Sequence, residues 1–228
     1  MNICGLQKLT LLDFPGHTAC TVFTGGCNMR CPFCHNAPLV TGCGEEHYSE
    51  DEIFSFLEKR QGLLDGVAIT GGEPLLQKDI AIFLERIKEM GYKIKLDTNG
   101  SFPERLKLLI SSELVDFVAM DIKNTKEKYS VTAGTDIDIS LIEKSIDILK
   151  SSGIPHEFRT TVVGNFHTFD DIEIIAKWLG KNEKYYLQQF LDSGNILKNG
   201  CFPVSENELR EMAQLAGNYV FLCETRGI

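Results

Sequence analysis

Short apolar runs alternate along the chain with longer segments whose apolar residues recur at helical spacing, and no low-complexity linker separates them. The run HTACTVF (17–23) predicts a strand. SEDEIFSFLEKR (49–60) predicts an amphipathic helix opening on a capping box, Ser49 with Glu52. GVAIT (66–70) has the largely apolar composition of a strand buried on both faces of a parallel sheet. A helix follows in QKDIAIFLERIKEM (77–90), then a strand in YKIKLD (92–97). PERLKLLISS (103–112) predicts a helix with Pro103 suited to its first turn, and VDFVAMDI (115–122) a strand. The next helix covers about 140–151, with Ser140 and Glu143 as its capping box and Gly153 as its stop. HEFRTTVV (156–163), KYYLQQF (184–190) and YVFLC (219–223) predict strands, separated by helices over 168–180 and 205–217, the latter starting at Ser205 with Glu208.

About six βα units and a last strand result. Strict alternation implies a parallel sheet with helices outside it, either doubly wound or a barrel. At 228 residues the chain is short for eight units. The expected fold is therefore α/β, a partial (β/α)6 TIM-like barrel in a single domain, 1–228, with a cysteine-bearing loop at 24–44.

Composition adds exclusions. A formal charge of −9 without basic runs argues against nucleic-acid or anionic-membrane binding, since phosphate contacts need clustered Lys and Arg. No stretch approaches a membrane span and the N-terminus lacks a signal-peptide pattern, so the expected location is the cytoplasm. In a reducing compartment, clustered cysteines indicate a metal or cluster rather than disulfides. Here Cys27, Cys31 and Cys34 are clustered, whereas Cys4, Cys20, Cys43, Cys201 and Cys223 are dispersed.

In such folds the active site lies at the C-terminal strand ends. Polar groups gather there: the cysteine loop after the first predicted strand, TGGEP (70–74) after the second, and DTNG (97–100) after the third. MDIK (120–123), RTT (159–161) and QQ (188–189) occupy the same rim on the next three. Three cysteines suit zinc only with a fourth ligand, for which His17, His35 and His47 are the nearby histidines. A [4Fe–4S] cluster on three thiolates instead leaves one iron open to an outside ligand.

CNMRCPFC (27–34) has the CxxxCxxC spacing, with an aromatic residue before the last Cys, of the radical S-adenosylmethionine (SAM) enzymes, and GGEP (71–74) resembles their second-strand motif. LTLLDFPGHTACTVFTGGCNMRCPFCHNAPLV, LDTNG and MDIK are similar to the activating enzymes of anaerobic ribonucleotide reductase and other glycyl-radical enzymes. The resemblance implies the radical SAM form of the partial barrel. It also implies a [4Fe–4S] cluster on Cys27, Cys31 and Cys34 whose open iron binds SAM, reductive cleavage to a 5′-deoxyadenosyl radical, a glycyl-radical enzyme as protein substrate, and flavodoxin or ferredoxin as electron donor.

By the same resemblance Phe33, His35 and Asn36 contact or cover the cofactors, Gly71, Gly72 and Glu73 lie along the methionine amino group, and Asn99, Lys123, Arg159, Thr161, Gln188 and Gln189 lie near SAM. Asp97, Thr98 and Asp121 are assigned to a monovalent cation beside the SAM carboxylate. Plainer alternatives stand beside these: core packing for Phe33, a cap for Asn36, an Asp–Lys pair, or an ion pair from Arg159 to Asp121. His17, His47, His156 and His167 are expected to be structural. Cys43 is rejected as a ligand because a fourth thiolate would block the open iron. No further cysteine falls between Cys43 and Cys201, so one cluster is expected. Other readings are a pyruvate formate-lyase-type activase, a radical SAM enzyme acting on a small molecule as in deazapurine biosynthesis, a one-cluster electron carrier and a zinc scaffold.

Overall fold

The computed structural model describes residues 1–41, 47–192 and 194–228; Cys43 lies outside them. Eight strands form one sheet in strict sequence order: β1 (Ile3–Thr10), β2 (Ala19–Thr24), β3 (Gly66–Gly71), β4 (Lys93–Thr98), β5 (Phe117–Asp121), β6 (His156–Val162), β7 (Lys184–Gln189) and β8 (Leu222–Arg226). All neighbours pair in parallel except β1, which runs antiparallel to β2. The order selects a barrel over a doubly wound sheet. With right-handed crossovers and no reversal of direction, every helix lands on one face, and the sheet curls to shelter the other. β1 and β8 remain as edges, so the barrel is open.

The helices are α1 (Ala37–Thr41), α2 (Glu50–Glu58), α3 (Ile80–Glu89), α4 (Pro103–Ser111), α5 (Tyr129–Ala133), α6 (Ile139–Ser152), α7 (Phe169–Leu179) and α8 (Glu206–Ala216). Capping boxes at Ser49–Glu52 and Ser205–Glu208 start α2 and α8 as expected. A third, Thr168 with Asp171, starts α7. The start of α6 differs from the expectation. Asp138 is its N-cap, accepting from the Ser140 backbone N–H at 3.0 Å, while Glu143 pairs with Lys126. Asp138 takes the position because its shorter carboxylate reaches the second helical N–H without any partner from the next turn. Gly153 ends α6 with φ +74°, as expected of a left-handed stop.

Strand β1 was not anticipated, because ICGLQKLT lacks a clean alternation; its pairing with β2 supplies the order that its sequence does not. The last strand begins at Leu222 rather than 219.

The core lies between sheet and helices. Val67, Ile69, Ile94, Leu96, Val118, Met120 and Phe158 are buried together with Phe83, Leu84 and Ile87 of α3, Leu106 and Leu109 of α4, and Ile142, Ile146 and Leu149 of α6. Each such side chain contributes about 1.5–3 kcal/mol of transfer free energy. Successive strand residues face opposite ways, so the alternate positions, among them Thr21, Thr70, Asp97, Asp121, Arg159 and Gln188, turn into the barrel.

Candidate active site

The inward residues and the cysteine loop enclose a cavity of about 310 Å³. The loop is held from four sides. From the β3 end, the Glu73 backbone N–H donates to Gly26 O (2.8 Å) and the Gly72 N–H to Thr24 O (2.8 Å). A Cβ added at Gly72 would lie 2.0 Å from Gly26 O, so only glycine lets the two loops meet. From the β4 end, Asn28 Nδ2 donates to Ser101 Oγ (2.9 Å) and accepts at Oδ1 from Asn99 Nδ2 (2.9 Å). From α5, Ala133 O accepts from the Arg30 N–H (2.8 Å), where Gly134, at φ +67°, brings its Cα against the Arg30 carbonyl. After β7, the Lys198 N–H donates to Pro32 O (2.9 Å).

Cys27, Cys31 and Cys34 all line this cavity, with Phe33, His35 and Asn36 beside them. Phe33 is buried against Phe166, His167 and Phe190, with centroids 5.8–6.5 Å away, so it packs in the core as well as lining the cavity. Burial raises all three thiol pKa values, that of Cys31 to about 11. Three thiolates therefore need added positive charge to persist here, which an iron–sulfur cluster provides. Among the described residues, no group of three or more His, Cys, Asp or Glu side chains is placed to hold one metal ion. His17 cannot join these thiols, because it packs edge-on against Phe14 before β2 begins, at the far end of that strand. The donor set fits a multi-iron cluster better than a single zinc.

Gly71, Gly72, Asp97, Thr98, Asn99, Asp121, Lys123, Arg159, Thr161 and Gln188 also line the cavity. Two of the expected residues do not. Gln189 is one pleat away from Gln188, which turns it outward, and its Nε2 donates to Val204 O (2.7 Å). Glu73 is fully buried behind the rim, accepting from Thr98 Oγ1 (2.8 Å), Leu75 N (3.0 Å) and Asn99 N (2.7 Å). Burial raises its pKa to about 7 despite these donors.

Asp97 and Asp121, on the neighbouring strands β4 and β5, converge, and protein cations separate them. Arg159 bridges the pair, with Nη1 3.0 Å from Asp97 Oδ2 and Nε 2.9 Å from Asp121 Oδ1. Lys123 Nζ lies 3.0 Å from Asp121 Oδ2, and Lys95 Nζ lies 2.5 Å from Asp97 Oδ1. Burial pushes both carboxyl pKa values up, but Arg159 outweighs it with Lys95 at Asp97 and with Lys123 at Asp121, and both fall below the usual range. Burial likewise opposes the charge on Lys123, and Asp121 overcomes it. At the residues implied for a monovalent cation, each carboxylate oxygen already meets a protein cation, and Thr98 Oγ1 donates to Glu73 and accepts from the Gly100 N–H (3.1 Å).

The sequence reading assigns no role to Lys95. Its inward direction follows from sharing a pleat with Asp97, which was the available signal. His167 accepts at Nδ1 from the Val163 N–H (3.1 Å), so Nε2–H donates to Lys123 O (2.8 Å), fixing the backbone that carries Lys123.

The radical SAM superfamily signature matches residues 21–179. A Methanocaldococcus jannaschii protein named as a glycyl-radical enzyme activating enzyme is 36% identical over 230 residues, covering 96% of this chain and 92% of its own length. The pyruvate formate-lyase-activating enzyme of Listeria monocytogenes is 31% identical over 154 residues, covering 62% of this chain and 61% of its own. In fold, the structure of Streptococcus suis SuiB bound to precursor peptide SuiA superposes with a TM-score of 0.73 at 14% identity, covering 91% of this chain and 48% of that one. A sheet curled around three thiols, matched over these spans, places the chain in the radical SAM superfamily and, within it, in the family of glycyl-radical enzyme activating enzymes that use a [4Fe–4S] cluster and SAM.

Proposed function

We propose that this chain generates the glycyl radical of an anaerobic ribonucleotide reductase, taking electrons from a flavodoxin or ferredoxin. The observation that carries the reading is the meeting, on one cavity, of three thiols with a string of fixed charges suited to an amino acid's carboxylate. A cluster on Cys27, Cys31 and Cys34 would supply one electron to SAM, releasing methionine and a 5′-deoxyadenosyl radical that takes a hydrogen atom from a partner's glycine Cα. The chain's own residues bind and orient. Lys123 and Arg159, held cationic by Asp121, offer charge-assisted donors to a carboxylate. Asn99 is locked in orientation because its Oδ1 accepts from the Ser101 hydroxyl (2.6 Å) and N–H (3.0 Å), which turns its amide nitrogen toward Asn28 and Cys27. Phe33, Met29 and Val40, with Phe23 and Ala68, form the apolar part of the wall and limit water.

The 36% identical relative supports an activase, and the single cysteine triad fits the one-cluster form that ribonucleotide reductase and formate-lyase activases share, so the choice between those partners rests on the test. The test is anaerobic incubation of the reconstituted enzyme with reduced flavodoxin, SAM and a purified anaerobic ribonucleotide reductase. A glycyl radical signal in paramagnetic resonance, matched by 5′-deoxyadenosine and abolished by Gly→Ala at the partner's radical site, is expected. Signal only on a pyruvate formate-lyase-type partner, or turnover with a small molecule alone, would overturn the choice of partner.

A further inference from the structure

The charge string contains one more cation than the family resemblance accounts for. Lys95 lies on β4 two residues before Asp97, so both side chains enter the barrel from one pleat. Its side chain is 2% exposed, and its ammonium lies 2.5 Å from Asp97 Oδ1. Lysine is almost never buried to that extent without a fixed partner. Lys95, standing behind the cavity wall, and Asp97, Arg159, Asp121 and Lys123, which line it, alternate in sign, and among these five groups three cations against two carboxylates leave one positive charge in excess. An incoming carboxylate would balance that excess. A bound monovalent cation would raise it, and would have to share its carboxylate oxygens with a protein ammonium or guanidinium.

We propose that Lys95 is the built-in cation of this site: its tethered ammonium does for Asp97, and through Arg159 for the arriving SAM carboxylate, what the resemblance assigns to a dissociable monovalent ion. This rests on the cavity being the SAM site but not on the identity of the partner enzyme. The physical advantage is that a tethered charge needs no ion capture from solvent, so occupancy is independent of salt. Lys95 thus acts as a positioning residue, working through Asp97 and Arg159.

The test compares SAM binding to the cluster-reconstituted enzyme in sodium, potassium and choline chloride at one ionic strength. Wild-type affinity should agree within about twofold across the three salts, and Lys95→Met should bind about tenfold more weakly in choline and regain affinity in sodium or potassium, which can enter the vacated position. Wild-type binding that weakens about tenfold in choline would overturn the proposal, as would a Lys95→Met protein that binds like wild type in every salt. If Lys95→Met does not fold, sodium-23 relaxation on the wild-type chain decides: saturable broadening displaced by potassium refutes a built-in cation, and its absence supports one. None of these readouts uses a glycyl-radical enzyme, so failure to activate ribonucleotide reductase would not alter the result, nor would salt dependence bear on the choice of partner.

Discussion

At the scale of single residues, two groups set the site's tolerance. Gly72 allows the β3 loop to touch the cysteine loop, where an added Cβ would lie 2.0 Å from a backbone oxygen that cannot rotate away. Gly72→Ala should therefore lower iron incorporation on reconstitution, measured as iron and sulfide per chain; wild-type loading would refute the contact's importance. Glu73 makes stability depend on pH. Its pKa rises from 4.5 to about 7 on folding, so the folded state holds the proton more tightly. The associated stability is complete below pH 4.5 and is lost as pH rises through 7, on the order of 3 kcal/mol in total. Urea unfolding of wild type and Glu73→Gln across pH 4.5–8 should show the difference moving in the variant's favour as pH rises. A pH-independent difference would sink the assignment.

At the scale of elements, local chemistry explains where helices begin and how they brace the site. Thr168 and Asp171 close a capping box at α7, and Asp171 also pairs with Lys128 at 2.8 Å. Thr168→Ala should cost about 1 kcal/mol in urea unfolding while leaving iron content unchanged, because α7 meets the site only through the loop carrying His167. Gly134, ending α5, should behave in the opposite way. At φ +67° with Arg30 O 2.0 Å from an added Cβ, its Ala variant should shift the cysteine loop and reduce cluster loading. A capping box is readable within four residues, which is why the starts of α2 and α8 follow from the sequence. The start of α6 differs because Ser140–Glu143 has the box pattern, while Asp138, two residues earlier, accepts from the Ser140 N–H and starts the helix sooner. β1 was invisible because its stability comes from pairing with β2 and not from its own alternation.

At the scale of the whole molecule, the barrel's distinctive feature is that its polar strand face points inward. Strands such as KIKLDT and KYYLQQ have the alternation of a sheet with one face in water, and here that face is the lumen. Replacing Cys27, Cys31 or Cys34 with Ala should abolish cluster formation, whereas Cys201→Ser, outside the cavity, should reconstitute normally; cluster assembly in a Cys34→Ala protein would refute the ligand set. The sequence by itself determined the cysteine triad, the helix limits set by caps, the sheet-and-helix alternation, and the strand ends where polar residues gather, because each depends on spacing within a few residues. Only the tertiary structure decided that Gln188 enters the cavity and Gln189 leaves it, that Glu73 lies behind the rim, and that Lys95 is a buried partner of Asp97. Those outcomes depend on which face of each strand the curling sheet encloses and on the register that sets Asp121 beside Arg159, and both are fixed by contacts between segments far apart in the chain.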